Sequence, residues 1–114
     1  MEQKPDRPSK MVHNQWTPWG WAQTSTDYGR GLTFYSTVSH GGFKVSAKLL
    51  ERIPEYMQTA DRYADGTKGW FEEDAAWSLV SVCLPEFFTV DERKQAFLTA
   101  NTFYRGAIDR YINR

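Results

Sequence analysis

The sequence predicts an α+β domain: a three-stranded antiparallel sheet of hairpins packed against two to three helices, with a long C-terminal helix. Three observations lead to this class. Leu32 to Ser39 alternates with a period of two, as a half-buried strand does. Gly41 and Gly42 follow it and precede a second alternating run, Phe43-Lys44-Val45. From Thr89 onward, apolar residues recur three, four or seven apart, the spacing of one helix face.

The elements follow in order. Met1 to Lys10 is polar with two prolines and no apolar core, so residues 1–14 are expected to form a flexible arm, neither signal peptide nor membrane span, ahead of a single domain over 15–114. Gln15 to Trp21 places Trp16, Trp19 and Trp21 around Pro18 and Gly20, an extended or turning segment that lays rings on the core edge. Ala22 to Tyr28 is rich in Thr and suits an edge strand, and Gly29-Arg30-Gly31 supplies a turn. In the next strand Leu32, Phe34, Ser36 and Val38 share one face, with Thr33, Tyr35, Thr37 and Ser39 on the other. A hairpin is then expected to turn at or next to His40-Gly41-Gly42, because glycine reaches the positive φ of tight turns. Phe43 and Val45 point inward on the returning strand.

The back half reads as helix. Ser46 can cap a helix from Ala47 whose apolar face is Leu49, Leu50 and Ile53, until Pro54 stops or re-aims it. Glu55 to Ala64 is weakly helical, and Asp65 to Gly69 is a loop. Trp70 to Asp74 opens a run with Trp77, Val80 and Leu84 at helical spacing, with Glu72, Glu73 and Asp74 at the positive end of the helix dipole, and Pro85 ends it. Thr89 with Glu92 has the capping-box pattern, and Val90, Phe97, Asn101, Tyr104, Ile108 and Tyr111 line one face of the last helix.

Composition narrows the function classes. The chain has 114 residues, enough to bury one core and too few for two. Fourteen Lys plus Arg balance fourteen Asp plus Glu, so no global charge steers it towards nucleic acid or an anionic membrane. The single cysteine, Cys83, lies in the apolar run Ser78 to Leu84, where a small buried thiol is expected; without an internal disulfide the chain suits a bacterial cytoplasm. Aromatic residues reach 16%, with five Trp, so some are expected to line an interface.

Three groups could carry chemistry or binding. Ser39-His40-Gly41-Gly42 brings a hydroxyl, an imidazole and two unhindered amides together, a group able to bind an anion or assist proton transfer, although turn geometry alone accounts for the glycines. Glu72, Glu73 and Asp74 could pair with His40, but neighbouring carboxylates on a helix diverge, and helix-start electrostatics explains them as well. With only His13 and His40, no set of ligands at zinc spacing exists, and neither metal nor cofactor is expected. The third group is Trp16, Trp19 and Trp21 with Tyr104, Arg105, Arg110, Tyr111 and Arg114, the composition of interface hot spots, of base-stacking surfaces, or of a plain solvated helix face. None of the usual nucleotide-binding, hydrolase or zinc-protease motifs is present.

Three blocks carry a resemblance. Thr17-Pro18-Trp19-Gly20, Phe34 to Ser46 and Gly69 to Trp77 resemble the blocks of an uncharacterised family of small bacterial, plasmid and phage domains, over roughly Thr17 to Leu84. No activity is attached to that family, so it transfers no catalytic residue. It marks Trp19, Ser39, His40, Gly41, Gly42, Phe43, Trp70, Glu72, Glu73 and Asp74 as the candidate binding residues, and it implies a phage- or plasmid-type module that binds a host protein or complex. An inhibitor of a bacterial defence system, anti-CRISPR or anti-restriction, fits that profile. The alternatives are a small enzyme or ligand-binding domain using His40 with Glu72 or Glu73, and a nucleic-acid-binding accessory protein. No membrane partner is expected, and the chain is a monomer or homodimer.

Overall fold

Alternation, turn chemistry and caps place the elements of the chain, and the computed structural model describes residues 7–58 and 68–114 of it. The order is β1 (Ser9–Met11), β2 (Trp16–Thr17), β3 (Gly20–Trp21), β4 (Thr24–Gly29), β5 (Leu32–Ser36), β6 (Gly41–Val45), α1 (Ala47–Leu50), α2 (Glu55–Gln58), β7 (Trp70–Glu72), α3 (Trp77–Cys83), a 3-10 turn at Pro85–Phe87, α4 (Val90–Phe103) and α5 (Arg105–Ile112). The class is α+β as predicted. Among the described residues, however, the main sheet has five antiparallel strands in the order β1-β4-β5-β6-β7, with β2 and β3 pairing as a separate ribbon.

Two strands lengthen the predicted sheet at its edges. Ser9–Met11, within the segment expected to be a flexible arm, pairs antiparallel with β4. Trp70–Glu72, read as the opening of a helix, pairs instead with β6, Phe71 opposite Phe43 and Glu72 opposite Gly42. Their backbone groups are satisfied by ladder bonds that no local pattern announces. The expected weak helix and loop fall partly on residues 59–67, outside the described residues; its first turn is α2.

The hairpin between β5 and β6 forms, but its glycines do not make the turn. Thr37 to His40 makes the connection, with the Thr37 N–H donating to the His40 carbonyl at 2.7 Å and the Thr37 hydroxyl donating to the same oxygen at 2.7 Å. Gly41 and Gly42 sit inside β6 and are not among the positive-φ residues. The true positive-φ hairpin lies one strand earlier, where Gly29 and Gly31 flank Arg30. Val38, read as sharing a strand face with Leu32, Phe34 and Ser36, lies in the connection and is exposed.

The core lies between the sheet and the helices. Leu32, Phe43, Val45 and Phe71 from the sheet meet Ile53 and Met57, then Leu79, Val80, Cys83 and Leu84 of α3, and Phe88, Ala100 and Ile108. Edge-on contacts of Phe43 with Tyr28 at 4.8 Å and with Phe34 at 5.1 Å tie three strands together. The Ser46 cap is present, its hydroxyl accepting from the Leu49 N–H at 3.3 Å.

The last helix departs from expectation in two ways. Tyr104, with φ −135° and ψ 39°, leaves helical geometry and divides it into α4 and α5. The face that α4 buries is also different: Ala96 and Ala100 are fully buried, whereas Val90 and Phe97 are exposed. Alanine four residues apart lets α4 approach α3 closely, which turns the larger side chains away. Ile108 is buried as expected, and Tyr104 and Tyr111 are half-buried.

Candidate functional site

The three distinctive blocks converge on the sheet face turned away from the helices. Alternation places Tyr35, Gly42 and Glu72 in one cross-strand row of that face, and Thr33, Lys44 and Trp70 in the next. The turn of the β2–β3 ribbon lays the Trp19 ring over part of these rows, leaving Lys44 exposed. It is shaped by the buried Thr17, whose hydroxyl donates to the Gly20 carbonyl at 2.7 Å and accepts the Trp19 N–H at 3.1 Å. That fold-back sets the Trp19 ring on Gly42 and edge-on to Trp70, centroids 5.8 Å apart, with Tyr35 on another side of Trp70 at 5.8 Å.

Gly42 is therefore required by close approach rather than by turn geometry. A Cβ there would stand 2.3 Å from the Trp19 ring and 2.4 Å from the Phe71 carbonyl oxygen. Gly41 is hemmed in too: its Cβ would meet the Tyr35 carbonyl oxygen at 2.8 Å and the Glu73 carboxylate at 3.1 Å. The Trp19 indole N–H is buried with no hydrogen-bond partner among the described residues, a loss that the packing of the ring must outweigh.

The acidic block is divided between different tasks. Glu72 is only 6% exposed, and its carboxylate accepts the backbone N–H groups of Asp74, Ala75 and Ala76, the last two at 2.9 and 2.7 Å. Ala76, the residue before α3, has no side-chain cap of its own, so Glu72 supplies the negative charge from the end of a strand. The three acids are thus not the first turn of α3. Glu73 donates its N–H to the Gly41 carbonyl at 2.9 Å, which ties the acidic turn to the hairpin; its side chain and that of Asp74 are exposed.

Ser39 and His40 are exposed at the hairpin connection, where the His40 N–H donates to the Thr37 hydroxyl at 3.1 Å. Phe43 faces the opposite way, into the core. The block residues thus divide into a packed aromatic layer of Trp19, Gly42 and Trp70, a buried cap in Glu72, and an exposed rim of Ser39, His40, Glu73 and Asp74. Among the described residues no group of three or more His, Cys, Asp or Glu side chains could hold a metal ion.

The predicted interface residues make separate local contacts. Trp16 and Trp21 pair edge-on across the β2–β3 ribbon with centroids 5.0 Å apart, and both rings are exposed. Arg110 lies over the Tyr56 ring at 4.1 Å and Arg114 over Tyr111 at 3.8 Å, so these cations are stacked within the protein. Arg105 is exposed beside the half-buried Tyr104.

A further surface escaped the sequence reading. Val90, Arg93, Lys94, Phe97 and Leu98 line an open groove of about 470 Å³ along the outer side of α4. Phe97 is 46% and Leu98 61% exposed. The available signal was the pair Ala96 and Ala100, a second, smaller-residue face that competes with Val90 and Phe97 for the core. Among the described residues no helix is long and apolar enough to cross a membrane.

Neither the curated proteins nor the solved structures give a match to this chain. A family match does exist, over residues 12–113, which takes in β2 through α5 and with them all three blocks and the α4 groove. By that match the chain belongs to the family described as Domain of unknown function (DUF7007).

Proposed function

We propose that this chain is a protein-interaction module of the kind phages and plasmids carry, acting by binding a host protein, and that the host protein belongs to a bacterial defence system. The observation that carries the reading is the outer side of α4, where Val90, Phe97 and Leu98 face solvent although smaller residues on the same helix are buried. Exposed apolar side chains gathered beside cations are the composition of a protein-binding patch. The exposed Trp16 and Trp21 pair adds a second apolar surface. Support for binding over chemistry comes from Glu72, whose carboxylate is engaged by three backbone N–H groups in a structural cap.

The test is a photo-crosslinking residue at position 97 or 98, with a control at exposed Lys48, in cells that carry a CRISPR or restriction system and are challenged with phage. The expected result is an adduct specific to 97 and 98, identified by mass spectrometry as a component of that system, with protection of the phage. No adduct and no protection overturns the reading.

A further inference from the structure

We propose that the α4 groove receives an amphipathic helical segment of another protein whose flanks are acidic; this rests on the interaction-module reading and specifies the partner's chemistry. Val90, Arg93, Lys94, Phe97 and Leu98 stand at i, i+3, i+4, i+7 and i+8, one continuous stripe along two turns, or about 12 Å of helix. Side chains at that spacing form the ridges into which a second helix packs. The surface between them is open and shallow, the shape over which a helix lies rather than a cleft that encloses a small molecule.

Charge specifies the occupant. Arg93 and Lys94 lie side by side within the stripe, and neither has an ion-pair partner among the described residues. The nearest acids do not pair with them: Glu92 is held by Arg7 at 2.8 Å, and Asp91, three residues before Lys94 at the edge of the stripe, makes no ion pair with it among the described residues. A second copy of this chain is a poor occupant. A two-fold contact through the stripe would bring Arg93 and Lys94 of both copies together, with no acid within the stripe to offset them. A nucleic-acid strand is poorly served as well, since two cations among apolar side chains cannot follow a phosphate backbone. A helix with apolar residues on one face and Glu or Asp along its edges satisfies both the apolar and the basic parts of the stripe.

The experiment is a selection from a displayed library of amphipathic helical peptides with fixed apolar positions and randomised flanks, run on the intact wild-type chain and on the double variant Arg93→Glu/Lys94→Glu. Circular dichroism confirms that the variant is folded. The expected outcome is acidic flanks enriched on wild type and basic flanks on the variant. Affinity of a selected acidic peptide should fall about tenfold or more in the double variant and in Phe97→Ala. Enrichment of the same flank charge on both proteins, no enrichment over Phe97→Ala, or Phe97-dependent binding of a fluorescent single-stranded oligonucleotide overturns the proposal. A crosslink at 97 to a host protein without acidic preference removes only this inference; acidic selection without a host adduct or protection removes only the functional reading.

Discussion

At the scale of single residues, glycine and glutamate each do something other than their surroundings suggest. Gly42→Ala places a methyl group against both an indole ring and a carbonyl oxygen, and the latter belongs to the paired strand and cannot swing away. Thermal or denaturant unfolding should show a loss of about 2 kcal/mol or more, the scale of overpacking in a fixed environment. For Glu72→Ala, unfolding experiments should register about 2–3 kcal/mol, because three amides lose a charged acceptor. Glu72→Gln, which keeps one acceptor oxygen, should lose less. Cys83 presents the bland case: burial pushes its thiol up to about 11, and its Sγ donates to the Met57 thioether at 3.4 Å. Alkylation at pH 8 should therefore be slow in the folded chain and fast in denaturant; rapid native labelling would contradict its burial.

At the scale of elements, α4 separates stability from binding. Its start is a complete capping box, Thr89 accepting from Glu92 N–H at 3.1 Å and Glu92 accepting from Thr89 N–H at 2.8 Å. Thr89→Ala should cost about 1 kcal/mol in equilibrium unfolding. Phe97→Ser and Leu98→Ser should instead stay within about 0.5 kcal/mol of wild type, since neither side chain is in the core. The same two changes are the ones expected to abolish partner binding. β7 gives the complementary lesson: three residues with helix-like acids nearby become a strand because β6 presents an open edge beside them.

At the scale of the whole molecule, Arg7, at the beginning of the described chain, is tied to the start of α4. Its guanidinium donates to both Glu92 oxygens and to the Phe87 carbonyl at 3.0 Å, and lies over the Tyr28 ring at 3.9 Å. Burial acts to raise the Glu92 carboxyl, but the Arg7 guanidinium and the Thr89 hydrogen bonds outweigh it and hold the group below its ordinary 4.5. A carboxyl whose folded pKa is depressed stabilises the fold above its unfolded value and loses that contribution as pH falls through the folded value. Stability should thus decline below about pH 4.5, and an Arg7→Ala variant measured over the same range should decline less steeply. An equal slope in both proteins would show that the ion pair is not the source.

Local chemistry by itself determined the α+β class, the β5–β6 hairpin, the Ser46 and Thr89 caps, the break at Pro85 and the buried Cys83. Each depends on residues within a few positions of one another, so the sequence spells it out directly. Tertiary structure alone decided the rest. Trp19, Gly42 and Glu72 were visible as separate blocks, but only strand pairing could stack an indole on a glycine and aim a carboxylate at the turn before α3. Periodicity pointed to the face of Val90 and Phe97, but apolar residues lie on more than one side of α4, and close contact through Ala96 and Ala100 buried another side instead. That choice exposed Phe97 and Leu98. The surface on which the functional proposal rests thus follows from packing between distant segments, which no single stretch of sequence specifies.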